Sequence, residues 1–128
     1  MSPAEYLKAW SLYEANVLKG PYDSLMAVNQ LQEYFWDDNG PLNYDASKNH
    51  TYSQDLPNFY KVTNSLNMRD RESILTHQYY TGPNPYKMKV SKLAGVDIDY
   101  PEDYEMAAAL YPTYIKMIDS TLTPVETA

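Results

Sequence analysis

The stretch SPAEYLKAWSLYEANVL, residues 2–18, carries the clearest structural signal in the chain. Its first four residues combine a capping box, formed by Ser2 and Glu5, with proline at the first helical position. Four apolar residues then recur at spacings of four, three and four: Tyr6, Trp10, Tyr13 and Val17. This spacing stacks them in one stripe, so the stretch predicts an amphipathic helix that Gly20-Pro21 ends.

A second helix is predicted from Asp23 or Ser24 to about Trp36. Its inner face is expected to carry Val28, Leu31 and Phe35, and the turn-forming run at residues 37–41 ends it. Because the connection between the two helices is short, we expect them to form an antiparallel hairpin.

The middle of the chain has weaker periodicity. Residues 41–56 are rich in Asn, Asp and Ser, which predicts a long surface loop. Two shorter helices are expected next, over residues 57–66 and from about Asp70 to Tyr79. In the basic segment 80–95, apolar residues alternate with lysines, a pattern that indicates either a short strand or an extended arm.

The last predicted helix runs from Pro101 to about Ile118. Acidic residues fill its first turn, where they complement the helix dipole. With side chains placed at 100° per residue, the apolar ones cover more than half of the circumference. A helix with so wide an apolar face is either central to its own bundle or packed against another molecule on its second side. Pro112 is expected to bend or split it.

These elements predict a mainly α fold, a small bundle of four to five helices with an N-terminal helical hairpin, a long polar loop and an extended C-terminal arm. The length of 128 residues fits one domain. We expect that domain over residues 1–118, with 41–56 as a surface loop and 80–95 as an extended basic segment. Residues 119–128 are expected to form the arm.

The composition argues against several kinds of active site. The chain has no Cys, which removes disulfides, thiolate nucleophiles and Cys-ligated metals. Its four glycines stand singly and form no phosphate-binding loop. His50 and His77 have no acid or nucleophile at a spacing typical of catalysis, and the acids at 97–105 lack the pattern of a calcium-binding loop. We therefore expect no enzymatic activity, no cofactor and no bound metal.

The N-terminus has no basic region followed by an apolar run, and no stretch approaches the roughly 18 apolar residues of a membrane span. We expect a chain without a membrane span that is cytoplasmic when made and can be incorporated in a virion.

The charge is distributed unevenly along the chain, whose net charge is −7. Residues 1–60 carry three lysines against eight acids, for −5, and residues 96–128 carry one lysine against seven acids, for −6. Residues 61–95 carry six cations against two acids, for +4. Six cations are sparse for nucleic-acid capture, and the two acidic ends would repel phosphate, so nucleic acid is not an expected partner.

Tyrosine is unusually abundant, with 14 residues against 2 Phe. A Tyr at an interface can bury its ring and leave its hydroxyl wet, which favours contact surfaces. Those on helical stripes are expected in the core: Tyr6, Tyr13, Tyr104 and Tyr111. The residues expected to contact a partner are Tyr44, Tyr52, Tyr80, Tyr86, Lys87, Lys89, Lys92, Asp97, Asp99, Glu102 and Asp103.

Two functions follow from these patterns. The first is a structural or interaction subunit of a larger protein assembly, in which the basic segment 87–92 of one subunit meets the acidic segment 97–105 of its neighbour in a homo-oligomeric ring or a hetero-assembly. A tailed-phage virion component, such as a head–tail connector or ring protein, is one such subunit. The alternative is a free-standing acidic binding protein or inhibitor that mimics the phosphates of DNA, although the basic middle interrupts its negative face.

Overall fold

The computed structural model describes residues 1–122 and contains both helices and strands. The elements in chain order are α1 (Pro3–Tyr13), a π-helical turn (Glu14–Leu18), β1 (Ser24–Leu31), β2 (Trp36–Asp37), β3 (Gly40–Pro41), a 3₁₀ turn (Ser53–Asp55), β4 (Phe59–Met68), α2 (Arg71–His77), β5 (Pro85–Lys89), a 3₁₀ turn (Leu93–Gly95) and α3 (Pro101–Leu122). The predicted fold class, a mainly α bundle of four to five helices, is therefore wrong. The chain has a mixed α/β fold.

Three strands form the main sheet in the order β4-β1-β5, which places β1 in the centre. β1 and β5 run parallel, with Leu25 opposite Tyr86 and Ala27 opposite Met88. β2 and β3 form a separate antiparallel pair. Since α1 is followed by a strand, the predicted N-terminal helical hairpin does not form.

The central strand β1 lies where the second helix was predicted. Leu25, Ala27 and Val28 are completely buried, as expected for a strand that is covered on both faces and therefore lacks polar alternation. A short apolar run of this kind fits a buried strand and a buried helix equally well. Pairing with distant β4 and β5 decides the outcome, and it overrides the local helix propensity of residues such as Leu25.

The strand β4 replaces the third predicted helix. Asn64 adopts φ 56°, a left-handed conformation that interrupts the regular strand. The side chains on either side of it, Thr63 and Ser65, have their hydroxyl oxygens 2.7 Å apart. The Thr63 hydroxyl also donates to the backbone carbonyl of Ala27, 3.0 Å away, which fastens this part of β4 to β1.

The helix α1 begins as predicted. Ser2 Oγ accepts from the backbone N–H of Glu5, and the Glu5 carboxylate accepts from the backbone N–H of Ser2, so both halves of the capping box are present. Its buried face packs onto the sheet in a core of Ala9, Tyr13, Leu25 and Met88.

The predicted core stripe of α1 is only partly buried. Tyr13 is in the core, whereas Tyr6 and Trp10 remain about half exposed. The sheet thus contacts α1 on a face that is rotated away from the centre of the stripe.

The helix α2 matches its predicted position closely. Asp70 is its N-cap, with a side-chain oxygen that accepts from the backbone N–H of Ser73 at 2.8 Å. Gln78 ends it in the left-handed conformation, at φ 52°. Arg69 then donates to the carbonyl of Tyr79, 3.0 Å away, and ties the end of the helix to its beginning.

The helix α3 continues through Pro112 to Leu122, four residues past its expected end at Ile118. Tyr114 lies on its buried face. Tyr104 and Tyr111 were expected in the core, but each is 61% exposed. Residues 123–128 of the predicted arm lie outside the described residues, and the domain boundary after residue 118 stays a prediction.

The chain divides into two units, one formed by Met1–Asn29 with Val62–Ala128 and the other by Gln30–Lys61. The first contains the core around α1. The second contains the β2–β3 hairpin and the 3₁₀ turn, and residues 42–52 between them are held by hydrogen bonds instead of regular structure.

Candidate interaction surfaces

Three lysines are among the residues that line a groove at the edge of the main sheet. This groove, called the lysine groove below, has a volume of about 290 Å³. Its lining residues are Lys8, Leu12, Tyr86, Lys87, Met88 and Lys89. Lys8 and Leu12 come from α1 and the other four residues from β5, so helix and strand together supply the lining of this groove.

The alternation along β5 explains why its two lysines are exposed. Met88 points into the core and is buried, whereas its neighbours Lys87 and Lys89 are exposed. Lysines on an edge strand often serve to prevent strands of other molecules from adding to the sheet. Lys8 is not on the strand, so that role does not account for it. A third cation brought from α1 is the feature that favours an anionic partner.

The predicted acidic contact residues divide into two kinds. The Asp103 carboxylate accepts from the backbone N–H groups of Asp99, at 3.1 Å, and Tyr100, at 2.8 Å, and so stabilises the start of α3. Asp97, Asp99 and Glu102 have exposed side chains around this helix start. Three of the four predicted carboxylates are therefore accessible, whereas that of Asp103 stabilises the start of the helix.

The exposed flank of α3 is apolar. Tyr104, Ala108 and Tyr111 follow each other at spacings of four and three and form one exposed stripe. The opposite flank also exposes Met106 and Met117. Between the two flanks, α3 packs on the turn Leu93–Gly95. The wide apolar arc noted in the sequence is therefore buried along its middle only.

A hydrogen bond between Glu5 and Tyr114, called the latch below, joins α1 to α3. The Tyr114 hydroxyl donates to the Glu5 carboxylate, which also accepts from the backbone N–H of Ser2 at 2.7 Å. Burial acts to raise the pKa of Glu5, but the hydrogen bonds from Tyr114 and Ser2 outweigh it and the pKa is lowered. Burial, the hydrogen bond to Glu5 and its negative charge raise the pKa of Tyr114 to about 12.

The unit Gln30–Lys61 carries a cluster of four aromatic rings, called the aromatic cluster below: Tyr34, Trp36, Tyr44 and His50. The ring of Tyr34 stacks on His50 at 4.9 Å and meets Tyr44 edge-on at 4.7 Å between centroids. Trp36 and Tyr44 are 6.5 Å apart. Trp36 Nε1 donates to the Tyr44 hydroxyl, and the Tyr34 hydroxyl donates to the Thr51 carbonyl at 2.6 Å. The rings are thus fixed by contacts and by hydrogen bonds.

No protein-family model and no curated protein matches this chain. Its function is therefore inferred from the surfaces described above.

The remaining predicted contact residues have varied surroundings. Tyr52 is largely exposed, and Tyr80 is exposed with its ring 4.6 Å from that of Tyr79. Tyr86 is partly buried and meets Tyr22 edge-on at 5.3 Å, so packing explains at least part of its ring. Lys92 lies exposed just before the turn Leu93–Gly95, beyond the lysine groove.

Within residues 1–122, no three side chains of His, Cys, Asp or Glu gather where they could hold a metal ion. The same residues include no helix with the length and apolar character needed to cross a membrane.

Sequence reasoning missed two parts of these surfaces. Lys8 was not recognised because its approach to β5 depends on how α1 packs on the sheet. In the aromatic cluster, Tyr44 was the one residue predicted to contact a partner. The signal that could have found Tyr34 and Trp36 is the run Tyr34-Phe35-Trp36, three consecutive aromatic residues next to a polar segment.

Proposed function

We propose that this chain is a non-catalytic interaction subunit of a larger protein assembly, and that the lysine groove is one of its contact surfaces. The observation that carries the proposal is the presence of Lys8, Lys87 and Lys89 in the lining of one groove at the sheet edge. Cations from two elements concentrated at a groove attract an acidic partner and orient its approach.

The partner segment we favour is the helix start of a second copy, with its exposed Asp97, Asp99 and Glu102. The groove and this segment are different patches of the same chain. A contact between different patches is heterologous, and its repetition closes into a ring or extends into a filament.

The exposed flank of α3 is a second, independent observation that supports a role in assembly. Tyr104 and Tyr111 leave most of their surface in water, and tyrosine is enriched at protein interfaces because it combines an apolar ring with a polar tip.

The narrower expectation of a phage head–tail connector or ring protein followed from the general character of the sequence, and the helical bundle expected with it is wrong, because the chain has a mixed α/β fold with a sheet. No other feature of the described residues indicates a virion component. The alternative of a DNA-mimicking inhibitor is less well supported, because a cationic groove interrupts the negative surface that such a mimic needs.

Charge reversal tests the proposed contact. Lys87→Glu with Lys89→Glu should abolish self-association, as measured by light scattering after size exclusion and by sedimentation velocity. Asp97→Lys with Asp99→Lys should do the same. An equimolar mixture of the two double variants should assemble again, because every groove then meets an oppositely charged segment. Added salt should weaken the native assembly, since exposed charges are screened.

The matched control is Lys19→Glu with Lys116→Glu, which makes the same change in net charge at exposed lysines outside the groove. It should leave the assembly unchanged. A native chain that stays monomeric at every concentration and salt would contradict self-assembly, and equal behaviour of the two lysine variants would exclude the groove as the contact.

A further inference from the structure

The aromatic cluster is far more exposed than a core needs to be. Trp36, its largest ring, is 62% exposed, and Tyr34 is 38% exposed. Burial stabilises in proportion to the apolar area removed from water. Most of the surface of Trp36 therefore stays in water, and that part remains available to another molecule.

The rings are nevertheless held in place. Trp36 donates through its indole N–H to the Tyr44 hydroxyl, and Tyr34 through its hydroxyl to the Thr51 carbonyl. The backbone beside them is fixed as well, because Asn43 accepts from the Phe35 N–H at 2.9 Å and donates to the Glu33 carbonyl at 2.7 Å. A partner would find the rings already in position, which lowers the entropy cost of binding.

The charge around the cluster selects the partner. Residues 33–50 contain four acids, Glu33, Asp37, Asp38 and Asp45, against Lys48 alone, for a net charge of −3. Asp37 and Asp38 are exposed and follow Trp36 directly in the β2–β3 hairpin. Aromatic faces carry negative electrostatic potential and attract cations, Trp most strongly. The rings and the carboxylates therefore both favour a positively charged partner.

We propose that the aromatic cluster is a binding site for a cationic side chain, presented by a basic segment of a partner protein. Arginine fits best, because its planar guanidinium can stack on the exposed face of Trp36 while its charge is attracted by the nearby carboxylates of Asp37 and Asp38. One oxygen of Asp37 already accepts from the backbone N–H of Asn39 at 2.7 Å. The cluster presents an exposed surface, since Trp36 is 62% and Tyr34 is 38% exposed. A cation carried on a peptide gains additional contacts on such a surface, which a free small cation lacks.

Tryptophan fluorescence gives a direct test. The chain has two Trp residues, Trp10 and Trp36, so the Trp10→Phe variant reports on the cluster alone. It is titrated with a synthetic peptide of four arginines spaced by glycine. We expect a saturable change in the emission of Trp36 that weakens with added salt. A peptide with glutamate in place of arginine should cause none.

Two variants examine the two halves of the site. In the Trp10→Phe background, Asp37→Asn with Asp38→Asn should weaken binding of the arginine peptide roughly three- to tenfold, and calorimetric titration of Trp36→Ala should show a loss of the same order. Asp97→Asn with Asp99→Asn removes the same charge from the other unit and should leave the affinity unchanged. Circular dichroism checks that each variant stays folded.

Three results would overturn the proposal: the absence of any saturable signal at millimolar peptide, an equal response to the glutamate peptide, or equal weakening by the two pairs of aspartate variants. A response to a neutral oligosaccharide but not to the arginine peptide would instead identify the rings as a sugar-stacking platform, and the proposal would fail. None of these outcomes depends on the lysine groove.

Discussion

Removing the hydroxyl of Tyr114 should reveal how much the latch between α1 and α3 contributes to the free energy of unfolding. Tyr114→Phe deletes the donor to the Glu5 carboxylate and keeps the ring, which is 9% exposed and so already packed. A hydrogen bond to a charged group contributes about 1.5–3 kcal/mol, more than a neutral one. Glu5 retains its bond from the Ser2 N–H at 2.7 Å and is only partly buried. We therefore expect a loss at the lower end, about 1–2 kcal/mol.

Urea denaturation at neutral pH, followed by circular dichroism, measures this loss. Tyr111→Phe is the matched control, because it removes the same hydroxyl from an exposed ring of the same helix. It should change the free energy of unfolding by less than about 0.5 kcal/mol. A double-mutant cycle that pairs Tyr114→Phe with Glu5→Gln isolates the interaction between the two side chains.

The pH dependence supplies an independent check with a defined sign. The pKa of folded Glu5 lies below its ordinary value of 4.5, so the unfolded chain binds the proton first as the pH falls. This contribution is complete above pH 4.5 and is lost as the pH falls through the lowered pKa. The pKa of Tyr114 rises from 10.0 to about 12. Its contribution is therefore present below pH 10 and is lost as the pH rises towards 12.

Tyr114→Phe should flatten the alkaline decline and reduce the acid one. If Tyr114→Phe and Tyr111→Phe have the same free energy of unfolding and the same pH profile, the hydrogen bond between Tyr114 and Glu5 does not stabilise the fold.

Two further predictions concern the sheet. Gly95→Ala would place a Cβ 2.5 Å from Asn29 Oδ1 and 2.7 Å from Thr63 Cγ2, so we expect a loss of about 1–3 kcal/mol, measured by urea denaturation; an unchanged midpoint would show that these neighbours can move aside. Leu25→Ala, at a completely buried position, should cost about 2–5 kcal/mol, whereas Leu7→Ala, at 73% exposure, should cost less than about 0.5 kcal/mol. Equal unfolding midpoints for the two leucine variants would contradict the assignment of β1 to the core.

The elements that sequence reasoning predicted correctly are those fixed by local chemistry. The start of α1 depends on Ser2, Pro3 and Glu5, and the start of α2 on Asp70 and Ser73. These residues lie within one helical turn of one another, so the sequence alone contains the whole interaction. The helix α3 begins in the same way, through the carboxylate of Asp103.

The strands could not be predicted as reliably, because their pairing partners lie far away in the sequence. β1 meets β5 across residues 32–84, and its residues suit a helix until those partners are present. β4 did carry a local signal, since Phe59-Tyr60-Lys61-Val62-Thr63 is rich in aromatic and β-branched residues that favour strands. That signal was outweighed by the helical spacing of Phe59, Val62 and Leu66.

The predicted contact residues also divide into those whose exposure follows from the local sequence and those whose exposure depends on packing between distant elements. Exposure of Lys87 and Lys89 could be predicted from their alternation with buried Met88. Exposure of Tyr104 and Tyr111 could not, because a wide apolar arc does not indicate which part of it faces the core. Lys8 joins the groove only through the packing of α1 on the sheet.

The areas involved indicate that the two proposed assembly surfaces must act together. A buried Tyr removes about 150–250 Å² from water, so covering the exposed 61% of Tyr104 and of Tyr111 would remove about 200–300 Å² in all. At about 25 cal/mol per Å² this gives roughly 5–8 kcal/mol, whereas association costs about 4–15 kcal/mol in lost freedom of motion. The gain falls in the lower part of that range, so we expect the α3 flank alone to hold a neighbour only weakly. If the lysine groove supplies the remainder through charge, assembly should respond to salt, and variants of Tyr104 or Tyr111 should be tolerated better at low ionic strength than at high.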